Sequence, residues 1–186
     1  SFHIGSGNLA EEFTPERIAA YGIGGVNART AVGLFLENGK QLVDLLCSGV
    51  LPRFPKLKVV SVESGIGFIP FILEALDYSF GYSQVRRSKP EFELLPSEYF
   101  ARQVYGCYFF EELAPQRLLD KVGADNVLFE TDYPHPVCLY GNVREKIDAG
   151  LKGQAPAIRR KLLWENAAKL YRVEEPDRAA LTSTPR

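Results

Sequence analysis

The chain has 186 residues, 46% of them hydrophobic and 24% charged, and a formal charge of −1 at pH 7. Such a chain buries a sizeable core, which excludes disordered and collagen-like readings, and its near-neutral charge leaves no basic footprint for nucleic acid or an anionic membrane. Apolar runs such as Gly65 to Leu73 are too short to span a bilayer and no basic-then-apolar leader opens the chain. The sequence therefore reads as a soluble, cytoplasmic protein whose partner is a small molecule.

Phe2 to Ile4 reads as the stub of a strand, left by a turn at Gly5-Ser6-Gly7-Asn8. Leu9 to Gly25 is expected to be loop, interrupted by a helix start at Thr14-Pro15-Glu16-Arg17, where Thr14 caps and Pro15 takes the first helical position. Two helices are expected next. One runs from Asn27 through Leu36; the other covers about Lys40 to Ser48, with Gly49 as its stop. Leu57 to Glu63 is a strand rich in β-branched residues, Ser64-Gly65-Ile66-Gly67 turns the chain, and Phe68 to Phe80 is a helix with Ile69, Ile72, Leu73 and Leu76 at helical spacing. Gly81 to Ser97 reads as a long irregular connection.

A third strand is expected over Gln103 to Phe109, a helix over Pro115 to Val122, and a fourth strand at Val127-Leu128-Phe129, stopped by Pro134 and Pro136. Helices over Val143 to Ala149 and Pro156 to Tyr171 follow, the latter carrying Leu163 and Trp164 against the body. Glu174 to Arg186 has the composition of a disordered tail. Strands alternating with helices mean crossover connections and a parallel sheet of four strands, with Ile4, Val62, Phe109 and Glu130 side by side at one edge. Opening within a strand, and holding no methionine, the chain is expected to be a piece of a longer protein.

Chemistry concentrates at the strand ends, the face where barrels of parallel strands do their work. His3, Glu63 and Asp132 all fall there, and imidazole and carboxylate suit zinc, manganese or iron. Each residue also has a plainer reading. His3 can be a hydrogen-bonded surface histidine, Asp132 can close a local turn, and Glu63 can cap the helix that follows it. His135 reads as a rim residue that meets substrate, and Tyr105, Tyr108, Phe109 and Phe110 as the wall of an apolar pocket or as core, Tyr108 being the first choice for substrate contact.

Cys47, Cys107 and Cys138 form no C-x-x-C pair and are expected to be buried thiols. Gly65-Ile66-Gly67 imitates a dinucleotide turn, but Pro70 stands where a third glycine belongs. A cofactor-binding α/β domain is disfavoured accordingly, and no G-x-S-x-G elbow is present.

Four stretches together carry a family resemblance: His3-Ile4-Gly5-Ser6-Gly7; Phe54 to Val60 leading to Glu63-Ser64-Gly65; Thr131-Asp132-Tyr133-Pro134-His135; and Glu165-Asn166-Ala167-Ala168-Lys169-Leu170-Tyr171. Over Ser1 to about Val173 the chain resembles the amidohydrolase-related metal-dependent hydrolases, the branch that includes aminocarboxymuconate-semialdehyde decarboxylase. That resemblance implies a (β/α)8 barrel of about twice this length, of which this α/β chain would supply strands five to eight. It makes residues 1–173 one domain, the carboxyl half of the barrel, with 174–186 as a tail.

By position His3 resembles the fifth-strand metal ligand and Asp132 the eighth-strand aspartate that binds metal and handles protons. The family's first-strand His-x-His or Glu-x-His pair has no counterpart here. Glu63 stands where the decarboxylases carry a histidine, and a glutamate cannot act as a neutral imidazole. The implied activity is hydrolysis of an ester, lactone or amide at a divalent metal, zinc first, with Asp132 and Glu63 catalytic. The alternative is metal-assisted loss of carboxylate from an unsaturated or aromatic acid. An isolated half would bind metal weakly and be inactive, and the full-length form is expected to be a homo-oligomer. A non-catalytic half-barrel that survives by self-association is the reading from a different class.

Overall fold

The computed structural model describes residues 1–3 and 9–174. In chain order the elements are β1 (Phe2–His3), α1 (Leu9–Glu12), α2 (Pro15–Cys47), α3 (Val50–Arg53), β2 (Val59–Val62), α4 (Ile69–Tyr82), α5 (Val85–Ser88) and α6 (Pro96–Gln103). Then come β3 (Val104–Tyr108), α7 (Leu113–Arg117), α8 (Leu119–Val122), β4 (Val127–Phe129), α9 (Val143–Gly150), α10 (Pro156–Arg160), a π turn (Lys161–Glu165) and α11 (Asn166–Tyr171). The four strands are all parallel in the order β1-β2-β3-β4, with His3 opposite Val62, Ser61 opposite Gly106 and Tyr108 opposite Phe129. The expected Gly5 to Asn8 turn, Ile4 and the tail beyond Glu174 lie outside the described residues.

Side chains alternate across the sheet with the strand period of two. Phe2, Val59, Val104, Tyr108, Val127 and Phe129 point to the helix layer, where they join Leu42, Leu46, Ile66, Ile69, Phe92, Phe100 and Leu162 in the main core. The opposite face carries a second, smaller apolar cluster of Val60, Cys107 and Leu128, flanked by Val62 and Tyr105 and covered by Ala167 and Leu170 of α11. Burying both faces is what a parallel sheet requires.

The sequence-based boundaries need four corrections. The loop and two helices expected before Gly49 form one helix over Pro15–Cys47, interrupted only at Gly22 (φ 68°). No proline breaks it after Leu36, and α4 packs closely at Gly39, where a Cβ would meet Ile72 Cδ1 at 3.2 Å. Thr14 does cap, its hydroxyl accepting from the Arg17 amide at 3.3 Å. The connection over Gly81 to Ser97 holds α5 and the start of α6, and Gln103 ends that helix instead of opening β3. The Pro115 to Val122 helix is split into α7 and α8, with Leu118 outside helical geometry at φ −114°, ψ 1°. Among the cysteines only Cys107 is buried; Cys47 is exposed and Cys138 half-buried.

At the amino ends of the strands, three buried amides satisfy backbone carbonyls that the sheet leaves open. Gln103 Nε2 donates to Phe54 O (2.9 Å) and Leu57 O (3.2 Å), Asn126 Nδ2 to Ala101 O (3.0 Å) and Val104 O (2.7 Å), and Asn166 Nδ2 to Ala124 O and Val127 O (both 2.7 Å). The last of these bonds ties α11 to β4.

Candidate metal centre at the carboxyl ends of the strands

His3 ends β1 on the concave face, because its register partner Val62 belongs to the second cluster. Glu63 follows β2 directly and Asp132 lies three residues past β4. Both acids adopt the left-handed backbone conformation, each at φ 59°. That conformation costs a residue with a Cβ roughly 1–2 kcal/mol, and such strain persists only where the surrounding structure imposes it.

What imposes it on Glu63 is a set of contacts from three other elements. Its amide donates to Glu130 Oε1 at 2.7 Å. Behind it, Asn38 of α2 donates to the hydroxyls of Ser61 (2.7 Å) and Ser64, and the Ser64 hydroxyl donates to Val62 O at 3.1 Å. The turn beyond is pinned by Glu111, whose carboxylate accepts from the amides of Ile66 (3.0 Å) and Gly67 (2.8 Å). Glu111 presses so closely that a Cβ on Gly65, itself at φ 74°, would lie 2.9 Å from it. Glu111 thus braces the turn before α4, whose N-cap Phe68 receives no side-chain hydrogen bond, so the cap expected of Glu63 is not formed and its carboxylate is contacted by His3 instead.

The bond from Glu63 to Glu130 joins β4 to β2 across β3. Strands two apart in a flat sheet are separated by about 9–10 Å. The Glu130 side chain bridges that gap just beyond the strand ends, drawing β2 and β4 toward each other on the face where the acids gather. His3 Nε2 contacts Glu63 Oε2, and His135 Nδ1 lies 3.1 Å from Asp132 Oδ2. Glu63, Asp132 and His135 each offer one ligand atom, and these atoms all lie within 4.8 Å of one another. Asp132 Oδ2 is buried and accepts no hydrogen bond, so despite their proximity the imidazole and this oxygen are not aimed at each other. A buried carboxylate oxygen without a donor, beside a second carboxylate and an imidazole, is the donor chemistry a divalent cation satisfies. The residues present fit such an ion.

Of the residues singled out in the sequence, the structure brings Glu63, Asp132 and His135 together, with His3 against Glu63. Tyr108 does not join them. It points to the helix side, 1% exposed, with its ring 5.4 Å from that of Phe129. The strand period decides this: Tyr105 and Cys107 face the concave side and Tyr108 cannot. Phe110, just past β3, stacks on Phe35 of α2 with ring centroids 5.4 Å apart, and Phe109 meets Phe110 edge-on. Tyr133, next to Asp132, stacks on Tyr140 at 5.5 Å. These two aromatic pairs stand at the same edge of the sheet as the acids.

Glu130 carries no motif that marks it as a site residue, although it follows Leu128 on the concave face by simple alternation. Burial, with the charges of Glu63 and Asp132 reinforcing it and hydrogen bonds from the Glu63 amide and Cys107 thiol opposing it, pushes the Glu130 carboxyl up to about 7. Burial and Glu130 together drive the Cys107 thiol well above its usual range, so it stays protonated. Glu111 and Phe35 have no local signal; their partners lie far away in the chain.

A family model described as Amidohydrolase matches residues 1–173. A solved amidohydrolase from Mycobacterium avium subsp. paratuberculosis K-10 is 29% identical, with a TM-score of 0.58 over 69% of this chain and 32% of that one. A 5-carboxyvanillate decarboxylase from Sphingomonas paucimobilis is 26% identical, with a TM-score of 0.66 over 87% of this chain and 47% of that one. A dihydroxybenzoic acid decarboxylase from Polaromonas sp. JS666, solved with manganese and 2-nitroresorcinol, shares the fold at 20% identity and a TM-score of 0.59, over 88% of this chain and 48% of that one. This chain thus spans from 32% to 48% of each neighbour, and its four parallel strands correspond to part of their barrels. Sequence match, parallel-sheet topology and strand-end acids agree, and the chain belongs to the amidohydrolase family.

Proposed function

We propose that these residues serve a metal-dependent carboxy-lyase acting on a planar unsaturated or aromatic carboxylic acid, within a barrel that this chain forms in part. The observation that carries the reading is the convergence of Glu63, Asp132 and His135 from two strand ends, one ligand atom each within 4.8 Å. Two aromatic pairs at the same edge, Phe35 with Phe110 and Tyr133 with Tyr140, suit a flat conjugated substrate, which stacks on such rings. The likeness to a 5-carboxyvanillate decarboxylase supports the same substrate class.

Asp132, with His3, Glu63 and His135 around it, would hold the cation. When bound, that ion supplies charge stabilisation to a substrate oxygen. The protein's own residues orient and move protons. The aromatic pairs hold the ring so that its carboxylate leaves perpendicular to the plane. The ring carbon first takes a proton handled at Asp132 with His135 beside it, which makes that carbon tetrahedral and tips the carboxylate out of the plane; the carbon–carbon bond then breaks, its electron pair restores the ring's conjugation and carbon dioxide departs. Glu63, contacted by His3, orients the carboxylate or a hydroxyl of the substrate.

One observation favours a second reading, hydrolysis of an ester, lactone or amide. Glu63 is a carboxylate where a decarboxylase of this branch is expected to carry an imidazole, and an ionised carboxylate there could take the proton of an attacking water.

The test is carbon dioxide release by the complete polypeptide carrying these residues, loaded with manganese or zinc, against a panel of hydroxylated aromatic acids and a matched panel of lactones and esters. Turnover of the acids, abolished by chelation and reduced by about 10³-fold or more in Asp132→Asn, is expected. Turnover confined to the esters and lactones selects the hydrolytic reading. Activity that survives both chelation and Asp132→Asn overturns both.

A further inference from the structure

We infer that the outer face of α4 binds a second copy of this chain, as an antiparallel helix pair about a two-fold axis. The inference concerns assembly and stands apart from the reaction.

Helix α4 buries one side and bares the other. Leu73 and Phe80 are 6% and 7% exposed and face the main core. On the opposite side Phe71, Tyr78 and Tyr82 are 76%, 75% and 81% exposed, with half-buried Ala75 between them. Single exposed aromatics are ordinary, but three on one stripe of one helix form a patch of the kind that marks an interaction surface. Tyr78 and Tyr82 already stack, with ring centroids 6.4 Å apart and planes 10° apart, so little ordering is left for a partner to impose.

The order of these residues identifies what covers them. Positions 71, 75, 78 and 82 are spaced four, three and four apart, the spacing at which one helix meets another along a continuous seam. Their sizes then select the same helix reversed. In an antiparallel pair whose axis passes between Leu76 and Asp77, Phe71 faces Tyr82 of the second copy, and each Tyr78 ring lies over the small Ala75 of the other. A parallel pair sets Tyr78 against Tyr78 and Ala75 against Ala75, a clash beside a void. Charge agrees with the antiparallel arrangement. Asp77 is held within its own chain, accepting from the Ser97 amide at 3.0 Å and hydroxyl at 2.6 Å, and Glu74 falls opposite Ser79, so no like charges meet.

The area is of the right order for a modest dimer. Three aromatic side chains of roughly 200 Å² each, about three-quarters exposed, offer ~450 Å² per copy. A pair buries about 900 Å² from the rings alone, close to the roughly 1,000 Å² that separates specific interfaces from casual contacts. A reversible dimer of micromolar affinity is expected.

The experiment is sedimentation velocity of the 186-residue chain from micromolar to millimolar concentration, with circular dichroism to confirm the fold of each variant. The wild-type chain is expected to double its mass over this range. Ala75→Glu sets a charge under the facing ring and Tyr78→Lys removes that ring, and each is expected to weaken the dimer by about tenfold or more. Mixed in equal amounts, the two variants are expected to dimerise again. In the mixed pair the new carboxylate faces the new ammonium, and the other contact of the two-fold pair stays native.

A wild-type chain that remains monomeric at millimolar concentration overturns the inference. Association of undiminished strength in both variants overturns it too, and assigns the contact to the open sheet edges. Weakened variants that fail to recover on mixing exclude the antiparallel register, and the inference falls with it.

Discussion

The two ends of the same four strands are built to opposite standards. At the amino ends the buried side chains of Gln103, Asn126 and Asn166 place their amide donors on carbonyls, and the positive φ at Gly123 (96°) falls on a residue without a Cβ. At the carboxyl ends two acids sit in left-handed backbone, three carboxylates crowd the concave face, and Asp132 Oδ2 is buried without a donor. Buried polar groups are ordinarily satisfied, because leaving one unpaired costs about 1–3 kcal/mol. The amino ends follow that rule and hold the sheet together. The carboxyl ends break it where a bound cation would restore the balance, so stability and chemistry occupy opposite edges of one sheet.

The contrast can be broken most directly from the stable end. Asn126→Ala strips the donor from Ala101 O and Val104 O and leaves a space among buried groups. A loss of about 2–3 kcal/mol in urea denaturation is expected, with metal affinity per folded molecule unchanged. Metal binding lost in parallel with stability would show that the two ends are not separable.

A smaller effect of opposite sign is expected at the reactive end. Glu63→Gly relieves a left-handed residue and removes one of three crowded carboxylates, so the metal-free chain should gain about 1 kcal/mol while losing cation affinity. A destabilised Glu63→Gly would mean that its contact with His3 outweighs the strain, and the comparison would need revision.

The smallest effect concerns the pH dependence of the supporting turn. Burial raises the Glu111 carboxyl, and the hydrogen bonds from the Ile66 and Gly67 amides pull the other way without cancelling it. A folded-state value above the unfolded one means that the folded chain favours the protonated acid. Its contribution to stability is fully present below the ordinary carboxylate range and is lost as pH rises through the folded value. Glu111→Gln should flatten that part of the stability-versus-pH curve, as seen in thermal melts collected with chelator present. An unchanged slope would show that another carboxyl is responsible.

The candidate site is legible wherever a local rule applies. Asp132 follows an apolar run ended by two prolines, and Glu63 follows a β-branched run ended by Ser-Gly, so strand chemistry alone puts both at the sheet's edge. His135 comes from its nearness to Asp132. Tyr108 is misplaced as a substrate contact, because an aromatic-rich run does not declare which of its alternate residues face inward until a neighbour sets the register; Gly106 opposite Ser61 does so. Glu130 is within reach of the same alternation. Glu111 is not, since the turn that it pins lies 44 and 45 residues earlier.

No helix among the described residues is long and apolar enough to cross a membrane. For the rest of the fold, α2 shows what a local reading loses. The stretch read as a loop and two helices before Gly49 is one helix running on to Cys47, and α4 packs closely on its backbone at Gly39, a contact from a distant part of the chain.

The sequence by itself determined the order of strands and helices, the parallel sheet, the family and the acids at the strand ends, because hydrophobic period, turn chemistry and short motifs act between near neighbours. The tertiary structure alone decided which of those residues share a cation-sized space, which imidazole faces it, and which distant carboxylates brace it. Those outcomes depend on the curvature and register of a sheet whose strands lie tens of residues apart, and no local spacing records either quantity.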